Sequence, residues 1–241
     1  MASTFLLLST EMQASCEAEA APRVNWTGCD KSGQDFSGKD LSNAVLSKAN
    51  LSGANFTSAR LKHADFNFSD ISGAVFDKAR MQGVRLIGAK AAKASFKAAI
   101  MDDTNFSRSD MAQADFRQAR LKQAEFYEAK LGGANFGGAF LHGANLSRSY
   151  LVNVVFDEAD LSQADLSSAY AESANFREAN LIAAVLNKAD LKSVDFSGAD
   201  LSKASLRDAV IDDAIFDNAR LGRAIWYDLK RCRSSSVGSC Q

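Results

Sequence analysis

From Phe36 onward a large apolar residue returns at every fifth position: Leu41, Leu46, Leu51, Phe56, Leu61 and so on to Leu221 and Trp226, with no insertion. Among these 39 centres only Ala91 and Ala171 are small. Two residues before each centre stands a second inward candidate, usually Ala, with Ser69, Thr104, Val84 and Val154 among the variants; only Gln34 and Lys39 depart from this rule. A period of five matches neither the 3.6 of a helix nor the 2.0 of a strand. It predicts a short extended piece followed by a corner, repeated throughout. The other three positions are mostly Asp, Asn, Ser, Lys, Arg and Gly, residues suited to turns and solvent. Such a chain coils, buries its centres and stacks each coil on the last.

The phenylalanines give the size of a coil. Positions 36, 56, 76, 96, 116, 136, 156, 176, 196 and 216 are all Phe. An unbroken column at a spacing of twenty means four five-residue units per coil. At about 4.8 Å per coil, the usual strand spacing, the rod is roughly 45 Å long.

The motif in Ala54-Asn55-Phe56 and Ala199-Asp200-Leu201 resembles that of the pentapeptide repeat family, over about four-fifths of the chain. The resemblance implies an all-β fold: a right-handed quadrilateral β-helix, about ten coils long, with short terminal caps. Residues 1–33 are expected to be leader and N-terminal cap, 34–228 the β-helix, and 229–241 a C-terminal cap with cysteines.

All four cysteines lie outside the repeats. Cys29 stands at the far end of the rod from Cys232 and Cys240, beyond the roughly 7 Å that a disulfide spans. Cys232 with Cys240 is an easy pair that would clasp the C-terminal cap; the state of Cys16 and Cys29 is open. Cysteines at both ends suggest staples in an oxidising compartment. Ala18-x-Ala20 resembles a signal-peptidase site before Ala21 or Pro22, but the segment before it has no basic residue and only the short apolar run FLLL at 5–8. Gln13 rules out a lipobox before Cys16. Repeats flanked by cysteine-bearing caps resemble family members of the thylakoid lumen in plants, algae and cyanobacteria; the alternative is a reduced, cytoplasmic protein. Pro22, the single proline, precedes the repeats, as stacked backbones that need their N–H groups require. No stretch is long enough for a membrane-spanning helix.

Chemistry is sparse. His63 and His142 are about four coils apart, roughly 19 Å by strand spacing, too far to share a metal. No cysteine pair has zinc spacing. The glycine-rich stretch 132–140 keeps the repeat register and lacks the ending of a phosphate loop. Aspartates before the centres, such as Asp65 and Asp160, are expected to bond backbone at the corners. No catalytic residue, metal site or cofactor is expected.

Two surfaces interrupt the polar pattern. Between Asp77 and Asp102 there is no acidic residue, while Lys78, Arg80, Arg85, Lys90, Lys93 and Lys97 span about one coil. They form a girdle, extended along one column by Arg60 and Arg120. Phe140, Tyr150 and Tyr170, with Val155 and Val185, fill outward slots where Asp or Asn is usual, and exposed aromatics of this kind mark protein-binding faces.

Net charge is −1, yet residues 31–130 hold 16 basic and 11 acidic residues and residues 131–226 hold 8 and 13. That dipole favours head-to-tail or end-to-end self-association or an oriented partner. The expected function is a non-enzymatic scaffold or protein-interaction rod in the thylakoid lumen, with a protein partner. Nucleic acid is disfavoured because no outward aromatics interleave the basic residues. The resemblance offers a rival, a DNA-mimicking protein that binds gyrase or topoisomerase. A duplex mimic copies about one negative charge per 1.7 Å, and the basic first half of this chain argues against it.

Overall fold

In the computed structural model, which describes residues 14–241, the outward residue before each centre forms a parallel β-bridge with the residue twenty places on. One such ladder climbs from Asn25 through Val45, Asp65 and Arg85 to Ile225 in ten steps. Three more ladders, starting at Asp30, Asp35 and Asp40, make the other faces of a four-sided coil. The bridges begin at Asn25, ahead of residue 34, because Val24 and Trp26 already occupy the small and large inward positions and are buried.

Each corner is a four-residue turn. The small residue's N–H donates back to the carbonyl of the preceding centre, as Ala44 does to Leu41 at 3.0 Å. The third residue of every turn from Arg23 to Arg223 has positive φ, between 52° and 72°, the mark of a type II turn when its predecessor stays at negative φ. Only eleven of these 41 positions are glycine. The other thirty carry side chains in a conformation that costs roughly 1–2 kcal/mol each. Glycine therefore does not specify the corner; coil stacking imposes it.

What imposes it is twofold. Above and below, each coil bonds its neighbours: Val45 donates to the carbonyl of Val24 and accepts from Trp26, both at 2.8 Å, and Leu41 donates to Arg60 at 2.7 Å. Inside, centres and small residues pack to zero or one per cent exposure along nearly the whole rod, Ala91 and Ala171 included. Phe36 to Phe216 stack at centroid spacings of 4.5 to 5.2 Å. Across the bore, rings of the opposite column meet them edge to face, as Phe66 meets Phe56 at 5.9 Å. Offset and edge-on contacts of this kind add about 0.5–1.5 kcal/mol each beyond burial.

A hydroxyl fits the small slot because it can be satisfied locally. Ser69, Ser109 and Ser149 donate to the carbonyls of Phe66, Phe106 and Leu146 at 2.5 to 2.7 Å. Thr104 instead reaches Met81 in the coil below, at 2.8 Å. Among the described residues no buried side-chain polar atom lacks a partner.

The ends differ from the middle. At the start, Ser15 N–H donates to the carbonyl of Asn25, and the Trp26 indole donates to that of Ala18 at 3.1 Å. Cys16 and Cys29 are disulfide-bonded, with Cα atoms 5.4 Å apart, so the pair left open by sequence closes here. At the other end the chain folds back, pairing Arg231 with Ile225 and Val237 with Arg220 in antiparallel bridges. Cys232 and Cys240 are bonded as expected, with Cα atoms 4.8 Å apart. The FLLL run lies outside the described residues.

Candidate interaction surface

The outward positions decide what the rod can do, since its bore is filled with side chains. Many are committed to the corners. Where Asp or Asn precedes a centre, its carboxylate or amide oxygen accepts the N–H two residues on, as Asp160 does from Ser162 and Asp200 from Ser202. This short bond pre-forms the turn and explains the abundance of Asp without catalysis or calcium. Among the described residues no group of three His, Cys, Asp or Glu could hold a metal. His142 Nδ1 lies 2.9 Å from Ser162 Oγ, and the His63 ring covers the bare turn at Gly83.

The basic girdle is real as a sequence feature and divided as a surface. Arg60, Arg80 and Arg120 share one ladder, with Ile100 between the last two and Phe140 above Arg120. Arg85 and Lys90 stand on two other faces. Four of the cations are paired: Arg60 with Asp40 at 3.1 Å, Arg85 with Asp65 at 2.9 Å, Lys97 with Asp115 at 3.3 Å and Arg120 with Asp102 at 2.9 Å. Arg80, Lys90 and Lys93 form no ion pair among the described residues. Asp115 loses solvation on burial, yet the hydrogen bonds from Arg117 outweigh this and hold its carboxyl below the usual range. The pairs come from coil stacking: Arg60 and Arg85 sit twenty residues above Asp40 and Asp65 as ladder rungs, while Lys97 and Arg120 reach diagonally, eighteen residues along the chain, to an aspartate one coil away. Sequence reading grouped the cations by number along the chain and missed the acidic partner one coil away.

The aromatic positions converge better. Tyr150 and Tyr170 are bridged neighbours, half exposed, with rings stacked at 5.1 Å and 11°. Phe140 is also exposed but on the opposite face of the coil, over Arg120. Two exposed aromatics were missed, Tyr227 near the C-terminal end and Phe68; Phe68, at a positive-φ corner, lies over Gly88, where an added Cβ would come within 2.8 Å of its ring. The signal was available, because Phe68 is a non-centre aromatic facing a glycine twenty residues on.

Models of pentapeptide repeats match this chain in eight overlapping copies spanning residues 25 to 225. The chain belongs to the pentapeptide repeat family. Its members fold as right-handed quadrilateral β-helices, which supplies the handedness of the four-faced ladder. Among solved structures, the pentapeptide repeat protein HetL, involved in heterocyst differentiation regulation in the cyanobacterium Nostoc sp. strain PCC 7120, is 27% identical; the match covers 87% of this chain and 92% of that one, with a TM-score of 0.50. QnrB1, a plasmid-mediated fluoroquinolone resistance protein, is 18% identical over 81% of this chain and 93% of its own, with a TM-score of 0.51, a likeness of fold alone. A pentapeptide repeat protein of the Arabidopsis thaliana thylakoid lumen matches at 26% over 53% of this chain and 68% of its own, with a TM-score of 0.27, and bears on neither shape nor location. A search of curated proteins found no match. No helix among the described residues is long and apolar enough to cross a membrane.

Proposed function

We propose that this pentapeptide repeat protein is a non-enzymatic interaction rod of an oxidising compartment, the thylakoid lumen, whose outward side chains dock a protein client. The observation that carries the reading is the exposed Tyr150 and Tyr170 pair on a rod whose bore is filled and whose Asp slots are engaged in turns. Paired cysteines in both caps support the compartment. They also bear on processing: cleavage before Ala21 would remove Cys16, Ser15 and Ala18, which hold the first coil, so a mature chain should retain residue 16. Where copies associate end to end, we assign the contact to the C-terminal edge, where Val210 and Ile215 are exposed.

The rival reading, a duplex mimic, fits less well. Three of the four outward ladders carry both signs, with Asp40 under Arg60, Asp65 under Arg85 and Asp200 under Arg220, whereas a duplex surface is uniformly negative. The test is intact mass from fractionated cells, with alkylation before and after reduction. A lumenal chain containing residue 16 and four protected thiols supports the reading; a cytoplasmic chain with four free thiols overturns the compartment. Client capture lost in the double variant Tyr150→Ser, Tyr170→Ser, with folding intact, supports the docking face. Unchanged capture removes it.

A further inference from the structure

At one corner of the rod the side chains rise into a groove. Arg108, Glu128 and Arg148 stand one above another as third residues of successive turns, while Lys130, Tyr150 and Tyr170 form the neighbouring outward ladder. Between the two columns lie only the buried small residues Ala129, Ser149 and Ala169. The walls therefore enclose a depression of about 590 Å³. It runs along the rod axis for three coils, about 14 Å by strand spacing, the length of about four extended residues.

Its lining has one chemical bias. Three cations face a single carboxylate. Glu128 is shared, 3.1 Å from Arg108 Nε and 3.8 Å from Arg148 Nε. Arg148 is further held against Tyr127, its Nη1 3.3 Å from the phenol oxygen. Lys130 has no ion-pair partner among the described residues. The Tyr150 and Tyr170 rings stack coil on coil, and among the described residues no hydrogen bond engages either hydroxyl. Ammonium, guanidinium and phenol groups are all donors, and stacked aromatics add a contact surface of low entropic cost.

We propose that this groove binds an extended, acidic segment of a partner protein, its carboxylates against Lys130 and the two arginines and an apolar side chain on the tyrosine pair. The inference rests on the interaction-rod reading and names the client's chemistry. An extended chain is the form that fits, because the groove is straight, narrow and floored by small residues; acidic charge is the form that pairs, because the site carries a surplus of two positive charges.

The test is fluorescence anisotropy on the full chain with a labelled hexapeptide of glutamates and one phenylalanine, against its lysine counterpart and a single-stranded oligonucleotide. Expected is saturable binding of the acidic peptide alone, weakening with salt. Lys130→Glu should weaken it at least tenfold, and Tyr150→Ser with Tyr170→Ser about as much, while Arg80→Glu, remote from the groove, leaves it unchanged. Thermal melts of each variant exclude unfolding; Lys130→Ala, which only removes the exposed cation, gives a second measure and should lower affinity severalfold. Equal binding by wild type and Lys130→Glu overturns the proposal, as does preference for the oligonucleotide. Client capture retained by a folded Lys130→Glu chain that no longer binds the peptide also overturns the groove as the docking site, and leaves the rod reading standing.

Discussion

The two ends of the rod meet the same physical demand in opposite ways. Any solenoid ends in unpaired backbone groups and an uncovered bore. At the first coil the outward residues on the open edge are Asp30, Asp35 and Asp40, charges that discourage another strand from adding. At the last coil the same two columns as Asp30 and Asp35 end in Val210 and Ile215, both exposed. The C-terminal hairpin covers the Arg220 and Ile225 faces and leaves those two bare. Ile211 and Phe216, the centres beside them, donate their N–H groups to no protein acceptor among the described residues. The first end is blunted by charge and the last is covered by half. The difference teaches that capping a β-helix has two separable parts, shielding the bore and disarming the edge.

The tryptophans offer the largest test of the bore. Trp26 closes it at the bottom, one per cent exposed and packed 5.1 Å from Phe36. Trp226 closes it at the top, 5.0 Å from Phe216, but remains partly exposed. Trp26→Ala should cost about 3–5 kcal/mol of stability by chemical denaturation, the range for fully buried large aromatics. Trp226→Ala should cost about half as much. Equal losses would mean that the hairpin shields its tryptophan as fully as the N-terminal segment does.

Next come the staples. By loop entropy, the bond between Cys16 and Cys29 is worth about 3 kcal/mol and the shorter loop of Cys232 and Cys240 about 2.5 kcal/mol. Cys16→Ser with Cys29→Ser should raise amide exchange in the first coil, and Cys232→Ser with Cys240→Ser in the last, each leaving the middle coils protected. Exchange spreading through the whole rod from either change would show that the ends are not independent units.

Much of this architecture was legible from spacing alone. The five-residue register fixed the centres and the Phe column fixed four faces, because the first recurs 39 times and the second ten, and errors average out. The corners were not legible. Eleven of the fifteen glycines fall there, but the positive φ falls equally on residues such as Lys93, Glu128 and Phe68, since the penalty is met by stacking elsewhere in the coil and most corners carry no glycine. The candidate surface was legible in part. Tyr150 and Tyr170 announced themselves as twenty apart, but Arg108 and Arg148 did not, because the turn position that aims them at the same groove has no fixed chemistry. The ends were least legible: repeats speak for their neighbours, and caps have only one neighbour.

The edge itself can be exchanged between the two ends. Val210→Asp with Ile215→Asp gives the last coil the outward residues of the first. If the exposed apolar edge drives end-to-end association, sedimentation should show the dissociation constant rising at least tenfold, equivalent to about 1.4 kcal/mol. Association unchanged by the double substitution would place the contact elsewhere on the rod.

The smallest effect lies in how each end holds its carboxylates. Asp30 and Asp35 are lowered from the ordinary 3.8 first by the backbone N–H groups of Ser32 and Ser37, whereas Asp228 in the C-terminal cap is lowered first by the Lys230 side chain. All three favour the ionised folded state, so the stabilisation is present above pH 3.8 and is lost as pH falls below it. Salt separates the causes, because an exposed ion pair is screened while a turn's own N–H stays in place. In a carboxyl titration followed by NMR, half-molar salt should return Asp228 most of the way to 3.8 and move Asp35 little, that small movement reflecting the nearby Lys39 and the remaining shift the Ser37 N–H. Equal movement at the two ends would mean that the first coil's edge is held by charge pairing rather than by the geometry of its turns, and the Asp residues there would then be guards of the edge without being part of its fold.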